Sequence, residues 1–92
     1  MLKDSGDIES KYYLRFTVED KPGVFAKITK ILGDNDVSIA AVSQKGKSQE
    51  YVPIIILTHN TLERNIKKSI DECNNLDIVK EKTILIRIEE FE

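Results

Sequence analysis

The run Asp20-Lys21-Pro22-Gly23-Val24-Phe25 joins an acid, a proline and a glycine to the start of an apolar repeat. Residues of those types in that order deliver a chain to a tight turn that opens into a helix. N–H groups at a helix start lack intrahelical acceptors, and the positive end of the dipole lies there, so a carboxylate can be held. Gly23 allows a ligand to approach the backbone closely. Asp20, at the same turn, is placed to pair with an ammonium group. An anion nest beside a carboxylate suits a zwitterion, and so an α-amino acid. The simpler reading of the same residues is a helix-starting turn with no ligand.

Other chemistry is poorly supplied. The single histidine, His59, has no second His or Cys at a metal-like spacing, so the sequence predicts no metal site, and His59 reads as helping to cap the helix after it or facing solvent. Cys73 falls at helical spacing from Ile66 and Ile70 and reads as a small buried hydrophobe. No nucleophile, base and orienting acid can be assembled, and no glycine-rich phosphate loop is present. The expectation is a domain with no catalytic residues and no cofactor.

The elements that must position the turn follow from periodicity. Tyr12–Val18 alternates, with Leu14, Phe16 and Val18 on one face, as a half-buried strand does. Pro22 suits the first turn of the helix that follows. Val24, Ile28, Ile31 and Leu32 then form one apolar stripe, and Gly33 or Asn35 is the expected left-handed cap. Val37–Gln44 and Glu50–Thr58 read as a hairpin around the polar turn Lys45–Ser48, and Pro53 is expected at the beginning of its strand or at a bulge. Asn60 with Glu63 three residues on is a capping-box pattern for a second helix bearing Leu62, Ile66, Ile70 and Cys73. Thr83–Glu89 alternates again, with Ile84, Ile86 and Ile88 on one face.

The order β-α-β-β-α-β predicts an α+β, ferredoxin-like fold: a four-stranded antiparallel sheet with both helices on one face and strands two and four as edges. The uncovered face should carry Ala40, Val42, Ile55, Leu57 and Leu85 beside Tyr13, Arg15, Thr17 and Arg87, a surface that needs a partner. Met1–Ser10 is polar and aperiodic and reads as a flexible tail or linker remnant, leaving residues 11–92 as the domain.

Composition narrows the partners. Ninety-two residues allow one two-layer core. Fourteen basic against sixteen acidic side chains give a net charge of -2, against nucleic-acid binding, and an RNA-recognition sheet would need aromatics where Ile55 and Leu57 stand. The longest apolar run, Ile54–Leu57, is too short for a membrane span, and a single cysteine fits a reducing cytoplasm. A metallochaperone would need a C-x-x-C loop, and an acylphosphatase-like enzyme an Arg in the first loop; both are missing.

The stretch Asp20-Lys21-Pro22-Gly23-Val24-Phe25-Ala26-Lys27-Ile28-Thr29-Lys30-Ile31-Leu32-Gly33, followed by Val37-Ser38-Ile39-Ala40-Ala41, resembles an ACT domain. With Tyr12–Phe16, Val52–His59 and Leu85–Ile88, it is similar more narrowly to the C-terminal domain of the homoserine dehydrogenase family. That resemblance implies a regulatory domain without catalysis, attached to a catalytic domain of a parent NAD(P)-dependent enzyme. It implies a homodimer paired side by side through the second strand, with an amino-acid effector, threonine in that family, bound at the junction. Carried over by position, Asp20 and the backbone of Lys21, Pro22, Gly23, Val24 and Phe25 supply one side. Ser38 and Ile39 supply the other across the dimer, with Gln44 a further candidate. Some ACT domains bind no ligand and serve only in assembly, and that alternative stays open.

Overall fold

The structure, a computed structural model, describes residues 8–44 and 51–88. The expected turn Lys45–Ser48 and residues 1–7 of the expected tail lie outside them. Seven elements follow in order: β1 (Glu9–Glu19), α1 (Val24–Asp34), β2 (Ile39–Gln44), β3 (Tyr51–Thr58), β4 (Thr61–Leu62), α2 (Glu63–Asn74) and β5 (Ile84–Ile88). The sheet is antiparallel, with β1 between β3 and β5 and β2 outside β3. This is the ferredoxin-like arrangement, with β2 and β5 as the edges.

The additional strand, β4, is an extension of β3. Tyr13 faces Leu57 and Leu14 faces Ile56, whereas Glu9 faces Leu62 and Ser10 faces Thr61, a slip of one residue. β4 therefore continues the line of β3 along β1 after His59 and Asn60. This pairing draws the start of β1 back to Glu9, before the expected Tyr12, and delays α2. Its N-cap is Leu62, with no side-chain cap, and the Glu63 N–H donates to the Ile8 carbonyl at 3.0 Å. The Asn60 capping box does not form, nor does His59 cap the helix, because backbone pairing with β1 takes the residues between them.

The core lies between the sheet and the two helices. Leu14, Phe16 and Val18 of β1 and Ile54 and Ile56 of β3 cluster with Val24, Ile28 and Leu32 of α1 and with Ile66 and Cys73 of α2. Full burial of each large aliphatic contributes about 1.5–3 kcal/mol. Burial pushes the Cys73 thiol up to about 12, with Glu72 adding to the shift, so it stays a neutral core atom.

α1 ends in a Schellman motif. The Asp36 N–H donates to the Gly33 carbonyl at 3.0 Å and the Val37 N–H to the Leu32 carbonyl at 2.9 Å, while Leu32 and Val37 are both buried. The left-handed residue is Asp36, at φ 62°, rather than Gly33 or Asn35. Asn35 acts through its side chain: Nδ2 donates to the Ile31 carbonyl at 2.9 Å.

Two strand faces differ from expectation. On β5, Leu85 lies opposite Leu14 and packs against the core, while Ile84 lies opposite Arg15 and Ile86 opposite Tyr13 on the uncovered face. Both isoleucines are about half exposed, at 49% and 53%. Asn74 at the end of α2 sets this phase, because its Oδ1 accepts from the Thr83 hydroxyl at 2.7 Å and from the Thr83 N–H at 3.2 Å. Thr83, and Leu85 two residues on, therefore turn toward the helices. On β2, the register shifts between Ile39 and Ala41, so Val42 lies opposite core-facing Ile56, while Ala41 and Ser43 share the uncovered face with Leu57 and Ile55. The irregularity is at Ala40 and not at Pro53, which is the third residue of β3 and lies opposite Thr17. The uncovered face remains apolar, through Ile55, Leu57, Ile84 and Ile86.

Candidate functional site

The loop after β1 is a type II turn. Gly23 sits at φ 82°, ψ -6°, the values of the third residue of that turn, with Pro22 in the position before it. The Val24 N–H closes the turn on the Lys21 carbonyl at 3.4 Å. Pro22 therefore precedes α1 rather than forming its first turn, and Gly23 is the N-cap. Lys27 makes the first helical bond, to the Gly23 carbonyl at 3.1 Å, so the N–H groups of Phe25 and Ala26 sit where a bound anion would accept from them. No acidic side chain occupies the first turn of α1 to compete for that place.

The expected site residues take different parts at this end of the sheet. Asp20, Lys21, Pro22 and Gly23 are exposed, and Phe25 is 42% exposed beside them. The Val24 side chain is buried in the core and can offer a ligand nothing but backbone. The Lys21 ammonium turns back to Glu19 Oε2 at 2.7 Å. Ser38 and Ile39 lie elsewhere. The Ser38 carbonyl accepts from the His59 N–H at 2.9 Å, and Ile39 lies opposite Thr58, at the end of the sheet where β1 begins. Asp20 follows the other end of β1, roughly 25 Å away along the strands at about 3.3 Å per residue. Gln44, opposite Ile54, belongs to the Asp20 end, several residues short of the turn.

One chain thus brings together Asp20, Lys21, Pro22, Gly23, Val24 and Phe25 and leaves Ser38 and Ile39 at the opposite end. β2 is an edge, and two-fold antiparallel pairing of β2 with a second copy reverses one strand on the other.

Sequence reasoning missed the supports of the turn. Glu19 Oε1 pairs with Lys80 Nζ at 2.7 Å as Oε2 pairs with Lys21. The bonds to Lys21 and Lys80 hold the Glu19 carboxyl well down, to about 2. Sixty-one residues separate Glu19 from Lys80, and no local pattern links them. Among the described residues no group of three metal-ligating side chains gathers, and no helix is long and apolar enough to cross a membrane.

A family model described as the ACT domain matches residues 12–76. The homoserine dehydrogenase of Methylobacillus glycogenes is 44% identical over 88 residues, covering 94% of this chain and 21% of that protein. That of Neisseria gonorrhoeae is 42% identical over 84 residues, covering 90% and 19%. The crystal structure of a homoserine dehydrogenase from Thiobacillus denitrificans superimposes with a TM-score of 0.87 at 42% identity, covering 96% of this chain and 19% of that one. The ACT domain from the GTP pyrophosphokinase of Chlorobium tepidum, at a TM-score of 0.67 and 16% identity, shares the fold. The chain spans about a fifth of the length of the homoserine dehydrogenases it matches.

Proposed function

Because this chain belongs to the ACT domain family, we propose that it is a regulatory module which binds a free amino acid, threonine before others, between two copies of itself. The observation that carries this reading is the turn at Pro22-Gly23. It presents the N–H groups of Phe25 and Ala26 at a helix start, with the Asp20 carboxylate at the same loop. The helix start suits the α-carboxylate of the ligand and Asp20 its α-ammonium. The partner's Ser38 and Ile39, brought up by β2 pairing, close the other side and meet the side chain. Gln44 lies at the margin of that space.

Similarity to homoserine dehydrogenases supports placing the module in such an enzyme, where a preceding catalytic domain would carry the NAD(P)-dependent reaction. Binding across two copies favours one relative arrangement of them. A linked catalytic domain feels that preference as a coupling of about 1–3 kcal/mol.

A thermal melt at fixed protein concentration tests the reading, with threonine, serine, isoleucine, methionine and lysine each at millimolar level. Ligand at about 100 times its dissociation constant adds roughly 2.7 kcal/mol and raises the midpoint by several degrees. A rise with threonine supports the reading in full, and a rise with another of the five moves the module to a different pathway. No rise with any of them, in a protein that is already dimeric, makes it an assembly module.

A further inference from the structure

The segment joining α2 to β5 is fastened to the stem of the candidate site at four points. The Lys80 N–H donates to the Thr17 carbonyl at 2.9 Å, and the Glu19 N–H to the Ile78 carbonyl at 2.9 Å. Val18 and Val79 form a β-bridge between them. The fourth point is the Glu19 carboxylate, which accepts from Lys80 on one oxygen and from Lys21 on the other, each at 2.7 Å. The Lys21 N–H meanwhile donates to the Glu19 carbonyl at 3.1 Å. Lys21 is the first residue of the type II turn whose third is Gly23, so a carboxylate that fixes Lys21 fixes the orientation of the helix-start N–H groups.

We propose that Glu19 is a positioning residue for the amino-acid site: its carboxylate, gripped by Lys21 and Lys80, ties the Lys21–Val24 turn to the α2–β5 connection and holds the turn in its ligand-ready shape. This rests on the effector reading given above. Glu19 touches no ligand in this scheme. The Lys21 ammonium, committed to Glu19, is withdrawn from the ligand, which meets Lys21 through backbone alone. The side chain of Glu19 is mostly covered (22% exposed) although the lysines around it are more open, so both bonds are made at a shielded carboxylate. A turn without the clamp samples other orientations, and binding then has to select the competent one.

The test compares the unaltered chain with Glu19→Gln, Lys80→Met and Lys80→Arg. Amide exchange is followed at Val24 and Lys80 without ligand, and threonine is titrated by calorimetry. Glu19→Gln is expected to speed exchange at Val24 and to weaken threonine binding about fivefold, the scale of two partly exposed ion pairs acting together, and Lys80→Met, which breaks one of the two, to act in the same direction by about twofold. Lys80→Arg restores both. Core amides at Leu14 and Ile56 keep their protection throughout. The difference between Glu19→Gln and the unaltered chain persists at pH 5 and fades as pH falls below 4.5 toward 2, where Glu19 itself takes up a proton. Unchanged exchange at Val24 in Glu19→Gln overturns the proposal, as does a loss of binding matched by equal loss of core protection. Failure of the unaltered chain to bind threonine or any other amino acid tested overturns the effector reading instead, and the exchange measurements still decide whether Glu19 holds the turn.

Discussion

Asp20 and Ser38 stand at opposite ends of one sheet, Asp20 just past the end of β1 and Ser38 just before the start of β2. β1 and β2 run the same way, because both are antiparallel to β3. The α1 crossover between them returns the chain to the bottom of the sheet before β2 begins. A site that uses both residues therefore needs two chains, and the β2 edge is where antiparallel pairing would supply the second.

That geometry makes the dimer testable apart from the ligand. Val42 is 40% exposed near the middle of the β2 edge, so in a dimer paired along that edge Val42→Glu would bring two like charges to the junction. Like charges facing each other across strands cost up to about 1 kcal/mol, before the lost apolar contact is counted. Light scattering should show a dimer for the unaltered chain and a shift toward monomer for Val42→Glu, with the circular dichroism of the fold unchanged.

Asp20→Ala should remove the midpoint rise given by amino acids while leaving the ligand-free midpoint within about 0.5 kcal/mol of its original stability. Asp20 is exposed and no core contact depends on it. Melts with and without threonine check both halves of the statement.

Gly23→Ala isolates the conformational demand of the turn. A Cβ at Gly23 would meet nothing within 4 Å, so crowding adds no penalty. The cost is that of holding an alanine at φ 82°, about 1–2 kcal/mol. Chemical denaturation should show that loss, with an unchanged denaturant slope.

The opposite change is expected at Asp36, a non-glycine residue at φ 62° in the position where a Schellman motif usually places glycine. Asp36→Gly relieves the left-handed strain and should stabilise by about 1 kcal/mol, raising the midpoint by several degrees.

Cys73 gives a pH-dependent check on the core. Its thiol is pushed up to about 12 and is fully buried, so the native protein should resist thiol reagents at pH 8 and react at the rate of global opening. Because the unfolded thiol ionises near its ordinary 9 and the folded one near 12, the unfolded state holds fewer protons between them. Stability attributable to Cys73 is therefore full below pH 9 and declines above it. Cys73→Ala should flatten that decline.

Most of the fold was legible in the sequence because its signals are local. Alternation marked β1, the polar turn after β2 marked the hairpin that contains β3, the Val24–Leu32 stripe marked α1, and Pro22-Gly23 marked the turn, each set by the preferences of a few adjacent residues. The expected phase of β5, with Leu85 on the uncovered face, came out reversed, since Ile84, Leu85, Ile86 and Ile88 suit either face equally well and alternation alone does not choose. The Asn74–Thr83 hydrogen bonds chose between them, and those bonds form only when α2 and β5 are already side by side. The capping box at Asn60 was a sound local pattern that lost to pairing with Glu9 and Ser10, fifty residues earlier.

By itself the sequence determined the order of elements, the helix stripes and the chemistry available at the Asp20–Phe25 turn, because these depend on side-chain type and spacing within one or two turns of chain. Tertiary structure alone decided which sheet face each residue of β2 and β5 takes, that Ser38 and Asp20 lie at opposite ends of the sheet, and that Glu19 meets Lys80. Those relations join residues of different elements, up to 77 positions apart for Lys11 and Ile88, and hydrogen bonds, ion pairs and burial between elements exist only once the layers have packed.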